Sequence, residues 1–316
     1  MIPRSSQHAA LPASARPLNY AIDAAEARSH AATLARLAVR ALYAEVSTYP
    51  KPGLVSLIDS GSHDDMDAST FLRSLFSLRH YFRLIYLAGA EGAPFARLKQ
   101  LGIEAEARMM LATRGINTHR GAIFSLGLLC AAAGSLYAQR RAITATSLRA
   151  ALIDNWGAAL AVHAGAIAAN SKTAHLSHGL QAAALHAASG AREEGALGLP
   201  SVFEVGQPAL QAALARGASM EHARIDALFT LMAHISDSNV YYRAGPQGAQ
   251  IVRDEARRFL AQGGTQHPQW FANAEECHRL FVRHRLSPGG AADLLAASCL
   301  LHAMLDAPEA MHAITA

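Results

Sequence analysis

The sequence has few aromatic residues and few charges. Of its 316 residues, 6% are aromatic and 16% are charged, whereas 51% are hydrophobic. A core in this chain must therefore be built mainly from Ala, Leu, Ile and Val, which suits closely packed helices. The formal net charge is +4 and the basic residues are scattered, so Arg140-Arg141 and Arg257-Arg258 are typical of solvated faces. This excludes a nucleic-acid partner but suits a small polyanion such as a nucleotide.

Cysteine is also scarce, and no long apolar run is present. Cys130, Cys277 and Cys299 have no metal-binding spacing, which favours reduced thiols in a cytoplasmic protein. Residues 1–20 lack the apolar segment of a signal peptide, so we expect a disordered or loosely docked lead-in. The most apolar window, 121–133, is too short to cross a bilayer, and we expect no membrane partner.

Helical periodicity dominates, and no useful stretch alternates with a period of two. We therefore predict an all-α protein, with residues 21–316 forming a single compact domain of roughly ten helices. Asp67, Thr118 and Ser287 are expected N-caps, and Pro288 is expected at the first helical position. The predicted helices span 21–47, 68–87, 94–112, 119–138, 146–169, 174–189, 201–215, 220–236, 246–262, 269–285 and 288–305.

Polar side chains that look out of place gather in the breaks between these helices. Loops of mixed charge at the ends of buried helices are where sites are usually built. We therefore expect a site made from inter-helix loops. The five breaks are 45–67, 114–120, 190–200, 236–243 and 286–293.

The first break reads EVSTYPKPGLVSLIDSGSHDDMD. Asp65 and Asp67 could converge on a hard cation such as Mg²⁺, or they could form an acidic helix start with Asp67 as its cap. Lys51 either meets a phosphate or belongs to a rigid Pro-Gly turn. Glu45 continues the apolar stripe of the first helix, so it points inward and needs a cation or several donors.

The next two breaks allow a binding role and a structural role. Asn117, His119 and Arg120 open an apolar helix whose free N–H groups and cation suit an anion. Capping with a solvated helix end is the alternative. Arg192 and Glu194 are either site residues or a surface pair.

The fourth break favours function slightly, and the fifth allows either a ligand or tight helix packing. A helix that is apolar nearly all round is followed directly by Asp237, Asn239 and Arg243. An acid, an amide and a guanidinium at the end of an enclosed helix are harder to explain by structure alone. Gly289 and Gly290 allow close backbone approach to a ligand or to another helix. The chain has no Walker loop, no GxGxxG after a strand, no GxSxG and no CxxC.

Six strings in order resemble the triphosphoribosyl-dephospho-CoA synthase family, over about residues 36–303. The segment STYPKPGLVSLIDSGSHDDMD resembles the malonate decarboxylase branch of this family more closely than the citrate lyase branch. The strings are KPGLV, GSHDDMD, GINTHRGAIFSLGLL, GAREEGALGLPSV, DSNVYYRAG and SPGGAADLLA.

The resemblance implies an all-helical transferase that uses Mg²⁺. Such an enzyme joins the triphosphoribosyl group of ATP to the 2′-hydroxyl of 3′-dephospho-CoA and releases adenine. A phosphoribosyl-dephospho-CoA transferase then attaches the product to the acyl-carrier subunit, here of malonate decarboxylase. Oligomeric state is left open, with a homodimer as one option.

The resemblance also assigns roles to individual residues. It implies catalytic roles for Glu45, Asp65, Asp67, Glu194 and Asp237, and metal binding for Asp65, Asp67 and Asp237. It implies substrate or phosphate binding for Lys51, His63, Asn117, His119, Arg120, Arg192, Asn239, Arg243, Ser287 and Asp293.

The chain departs from the family pattern at three positions. Arg120 replaces the commoner Lys and keeps its charge. Glu193 stands where Gly is usual. Ser56 replaces an Asp of the citrate lyase branch, and Asp59 is the candidate substitute for that acid.

ATP carries its base on the β face and the family's product has an α link. One inversion follows, which predicts direct displacement without a ribosyl-enzyme, although the residues do not say which carboxylate is the base. Two alternatives stay open: an Mg²⁺-dependent ADP-ribosyl hydrolase, and a non-catalytic helical factor that binds the coenzyme precursor.

Overall fold

A computed structural model describes residues 24–171 and 193–307, with the side chains of 166–171 left aside. Within these ranges the chain is helical and has no strand, which confirms the all-α prediction. The α-helices are α1 (Ala24–Ser47), α2 (Ala68–Ser77), α3 (Arg79–Ala90), α4 (Phe95–Ala112), α5 (Arg120–Ala138), α6 (Ala145–Leu152), α7 (Ala158–Ser171), α8 (Gln207–Ala215), α9 (Met220–His234), α10 (Ser238–Ala261), α11 (Trp270–Arg283) and α12 (Gly289–Leu305).

Several predicted boundaries are wrong in detail. The predicted helix 68–87 is two helices that meet at Leu78. Wider π-helical turns, Ile153–Gly157 and Ser201–Gly206, lead into α7 and α8. α10 starts at Ser238, eight residues before the predicted start, and bends at Gly245, where φ is +64°. The lead-in 1–20, the helix 174–189 and Arg192 lie outside the described residues.

Helix caps were predicted with mixed success. Asp67 caps α2 as expected, because its side chain accepts from the backbone N–H of Thr70. Thr118 and Ser287 are not caps: α5 begins after His119 and α12 begins after Pro288. Both side chains instead bond to other side chains, so tertiary contacts outweigh the local capping preference.

The core has two parts that α12 joins. One part lies among α1 to α6, and the other lies among α8 to α11. Leu300 and Leu301 of α12 pack in the first part, whereas Ala291 and Leu295 pack in the second. The start of α12 therefore belongs to the second part, and its end belongs to the first. The single domain over 21–316 stays a prediction.

α5 is the central helix of the first part. By length and composition it is the one described helix that could cross a membrane, but 78% of its apolar window is buried inside the protein. Gly89 of α3 lies so close to it that an added Cβ would be 2.0 Å from the backbone oxygen of Ala131. α5 is thus enclosed by its own chain, as expected for a helix rich in Gly and Ala.

The long loop after α1 is bound to the loop before α12. Gly53 has φ +68°, and a Cβ there would lie 2.0 Å from the Leu286 carbonyl oxygen. The Ser62 hydroxyl donates to that same oxygen at 2.6 Å. Because these contacts connect the first and last breaks, the loops are brought to one place before any ligand binds.

Candidate active site

The inter-helix loops open into one cavity of about 1410 Å³. This exceeds the roughly 300–1,000 Å³ typical of a site for one small ligand, so the volume allows more than one small ligand. Helices α2 to α5 contribute apolar residues to its wall, namely Phe71, Ile85, Phe95, Leu98, Ile103, Phe124 and Leu128. Of the predicted site residues, Glu45, His63, Asp65, Asn117, His119, Arg120, Glu194, Asp237, Asn239, Arg243, Ser287 and Asp293 line it.

Glu45 and Lys51 form a buried ion pair at the end of α1. Their exposed fractions are 3% and 1%. Burial raises the pKa of Glu45 and lowers that of Lys51, and their mutual attraction opposes both shifts. Glu45 thus has the cation that its inward position requires, while Lys51 is held away from the cavity wall.

Asp237 lies where the N-termini of α10 and α12 meet. Oδ1 accepts from the N–H of Asn239 at 2.9 Å, and Oδ2 accepts from the N–H of Ala291 at 3.0 Å. Burial raises the pKa of Asp237 to about 6, although these hydrogen bonds lower it. A Cβ on Gly290 would lie 2.9 Å from Oδ2, so Gly290 admits this carboxylate rather than merely packing helices.

Asp293 projects from α12 to the start of α5, where it accepts from the N–H groups of Gly121 and Ala122. A Cβ on Gly121 would lie 2.2 Å from Oδ2, so only glycine admits this approach. Burial raises the pKa of Asp293 well above its usual value, and the negative charges of Glu45 and Asp237 raise it further. These three acids form the acidic wall of the cavity.

His63 connects three of the breaks. Nε2 lies 2.8 Å from the Ser287 hydroxyl, and Nδ1 lies 3.1 Å from a guanidinium nitrogen of Arg243. Since arginine can only donate, Nδ1 accepts and Nε2–H donates to Ser287. Burial and the Arg243 charge lower the pKa of His63, so the neutral ring is favoured. Asp65 Oδ1 lies 3.6 Å from Nδ1.

His119 precedes α5 and is 2% exposed. Its Nδ1 lies 2.6 Å from the hydroxyl of Ser74, which accepts a hydrogen bond from Thr118 at 2.6 Å. Nε2 is buried and has no hydrogen-bond partner within the described part of the chain. Burial lowers the pKa of His119 to about 3, so the ring is neutral.

The remaining predicted residues have local partners. Asn117 Oδ1 accepts from the N–H of Arg120 at 3.3 Å. The Arg120 guanidinium is exposed and pairs with Glu106 of α4. Glu194 accepts from the Ser201 N–H at 3.0 Å, and burial raises its pKa. Asn117 and Glu194 therefore stabilise chain turns at the cavity wall.

Two predicted residues, Lys51 and Asp67, are not among the residues that line the cavity. Asp67 Oδ1 accepts from the N–H and hydroxyl of Thr70, and these bonds lower its pKa to about 2. Asp59 is also not a lining residue and accepts from the N–H of Gly61. That Asp59 replaces the missing acid stays a prediction.

The predicted metal ligands are only partly gathered. Asp65 and Asp237 line the cavity, but no three His, Cys, Asp or Glu side chains of the described ranges lie close enough to hold a metal by themselves. Carboxylates with nearby phosphate oxygens are nevertheless the ligands that Mg²⁺ prefers. The carboxylates present have the right chemistry for Mg²⁺, but a magnesium site stays a prediction.

Ser74, Phe71 and Glu106 also belong to the site region and were not predicted from the sequence. Ser74 carried a usable signal, because it lies three residues after Phe71 and four before Leu78 on the buried face of α2. A serine on an apolar stripe, like Glu45 on α1, needs a polar partner. Glu106 carried none, since its pairing with Arg120 depends on how α4 and α5 pack.

Residues 31–311 match the family of ATP:dephospho-CoA triphosphoribosyl transferases. The chain belongs to this family. A probable 2-(5″-triphosphoribosyl)-3′-dephosphocoenzyme-A synthase of Acinetobacter calcoaceticus is 41% identical over 84% of this chain and 89% of its own length. The synthase of Pectobacterium atrosepticum is 40% identical over 83% and 86%, respectively. No solved structure matches the chain.

Membership of the triphosphoribosyl transferase family confirms the resemblance and identifies the chain as a transferase. The hydrolase and the non-catalytic binding factor are not favoured. The family's name does not distinguish the malonate decarboxylase branch from the citrate lyase branch.

Proposed function

We propose that this chain joins the triphosphoribosyl group of ATP to the 2′-hydroxyl of 3′-dephospho-CoA and releases adenine. The observation that carries the proposal is the cavity, in which Glu45, Asp237 and Asp293 form one wall and Arg243 is a further lining residue. Breaking the N-glycosidic bond makes the ribosyl carbon cation-like, and carboxylates stabilise such charge.

Direct displacement needs a base for the attacking hydroxyl, and we assign Asp293 to this role. It lines the cavity, and the N–H groups of Gly121 and Ala122 position its carboxylate. Its raised pKa makes it a stronger base than an ordinary aspartate. The bond from the 2′-oxygen to ribosyl C1 forms as the bond from C1 to N9 breaks. The hydroxyl proton goes to Asp293, and the electron pair stays on the purine.

Phosphate binding falls to Arg243, His63 and Ser287. Arg243 is the exposed cation of this group. His63 holds Arg243 and Ser287 in place, and the Ser287 hydroxyl keeps its own hydrogen for a phosphate oxygen. Magnesium, when bound, would neutralise triphosphate charge, and Asp65 and Asp237 would hold it. Lys51 then acts on Glu45 and sets the charge of the acidic wall.

We assign the product to malonate decarboxylase on the basis of the string STYPKPGLVSLIDSGSHDDMD. Attachment by a phosphoribosyl-dephospho-CoA transferase would follow. The three cysteines are free thiols, which suits action in the reducing cytoplasm.

Mass spectrometry of the protein incubated with ATP and 3′-dephospho-CoA tests the reaction. We expect adenine and the joined product only when both substrates and Mg²⁺ are present, and EDTA should stop both. Adenine release from ATP alone at the same rate would refute the transfer in favour of hydrolysis. Binding without adenine release would support the non-catalytic factor.

A further inference from the structure

We propose that Ser74 and Thr118 hold His119 as a neutral hydrogen-bond donor to a ring nitrogen of the departing adenine. The inference rests on the proposed function, because it concerns the leaving group of that reaction. Its starting observation is that the Nε2 of His119 is buried and finds no hydrogen-bond partner among residues 24–171 and 193–307, although the ring lines the cavity.

The order of donors fixes the proton positions on the ring. The Thr118 hydroxyl donates to the Ser74 hydroxyl at 2.6 Å, so the Ser74 proton is free to point elsewhere. The nearest acceptor is His119 Nδ1, also at 2.6 Å. In a neutral imidazole only one nitrogen carries hydrogen, and Nε2 is therefore the donor.

The surroundings of His119 suit a purine better than a phosphate. The ring of Phe71 meets the imidazole edge-on, with 5.0 Å between the two ring centroids. Ile85, Leu98 and Ile103 line the same cavity. A charged group is costly beside an apolar side chain such as Phe71. A flat purine has an apolar face, and its N3 and N7 accept hydrogen bonds.

A donor here would act on the transition state. As the bond from C1 to N9 breaks, negative charge accumulates on the purine nitrogens. A fixed N–H aimed at the purine stabilises that charge, and it costs no reorganisation during the reaction. The imidazole keeps its proton throughout, and the purine takes one from water after release.

The decisive experiment compares ATP with 7-deaza-ATP and 3-deaza-ATP. We expect His119→Ala to slow adenine release from ATP about 10²- to 10³-fold, as for loss of one transition-state donor. With one of the two analogues, wild type and variant should release base at rates within about threefold. An equal penalty with all three nucleotides would overturn the inference, while wild-type transfer from ATP would still uphold the proposed function.

Ser74→Ala tests the positioning separately and leaves His119 in place. It should lower kcat for ATP with little change in KM, and the imidazole ¹⁵N spectrum should lose the single Nε2–H form. Ser77→Ala is the matched control, since its hydroxyl donates to the Ser74 carbonyl on the same helix. Equal kcat losses for both variants, with an unchanged His119 spectrum, would contradict a positioning role.

Discussion

Replacing Lys51 by Met should destabilise the protein far more than loss of a surface charge. Lys51 and Glu45 are 1% and 3% exposed and form an ion pair, so the substitution leaves a buried carboxylate without its cation. Breaking a buried pair in this way costs about 3–5 kcal/mol. That is a large part of a typical unfolding free energy of about 5–15 kcal/mol.

Glu45→Gln combined with Lys51→Met should recover most of this loss, because neither buried charge then remains. Urea unfolding of the two single variants and the double variant gives the coupling energy, which we expect to be about 3–5 kcal/mol. The exposed pair of Arg285 and Asp64, 3.4 Å apart, is the matched control. Its coupling should not exceed about 1 kcal/mol.

The loss in Lys51→Met should also depend on pH. Burial raises the pKa of Glu45, and the charge and hydrogen bond of Lys51 lower it again, so removing Lys51 lets the pKa rise further. A carboxyl whose pKa is raised in the fold contributes stability at low pH and loses it as pH rises through the raised value. The variant should therefore approach wild type as pH falls. A pH-independent loss below about 1 kcal/mol, with additive single variants, would show that Lys51 is free to bind phosphate, as the resemblance implied.

Three further predictions follow from the site and its loops. Asp293→Asn should slow adenine release by about 10²-fold or more, as for loss of a general base. It should also stabilise the fold at pH 8, because the raised pKa of Asp293 means that ionising this carboxyl opposes folding. Equal urea midpoints for variant and wild type at pH 5 and pH 8 would contradict this. Arg243→Gln should raise KM for ATP about tenfold with a smaller change in kcat, because it removes a charged hydrogen-bond donor. An unchanged KM in steady-state kinetics would count against phosphate binding by Arg243. Gly53→Ala should lower the free energy of unfolding in urea by about 2–4 kcal/mol, because of backbone strain and a Cβ 2.0 Å from the Leu286 oxygen. Gly217→Ala, the control with φ +83° and open space around it, should lower it by only about 1–2 kcal/mol. Equal losses would refute the close loop contact.

Much of the fold and site was predictable because polar breaks stand out in a chain whose helices are mainly apolar. Glu45 on an apolar stripe required a buried partner, and the structure supplies Lys51. Asp237 after an enclosed helix required donors, and two helix N-termini supply them. In each case burial of a carboxylate is unfavourable without a partner, so its position in the sequence indicated that a cation or N–H donors must lie beside it.

The unpredicted features depend on packing that a single sequence does not encode locally. Asp293 reaches Gly121 and Ala122 only because α12 and α5 approach closely. Ser287 was expected to cap a helix, but its hydroxyl meets His63 across a 224-residue separation. Lys51 was expected at a phosphate, and its burial beside Glu45 emerges only once α1 and the following loop are placed.

Rapid-quench measurement of adenine release tests most directly the claim that one acid-walled cavity performs direct displacement. Adenine should form in step with the joined product when ATP and 3′-dephospho-CoA are both present, and Asp293→Asn should slow the two together. ATP alone should give neither a stoichiometric burst of adenine nor a gain in protein mass. A burst with a ribosylated carboxylate, seen by intact-protein mass spectrometry, would contradict the account.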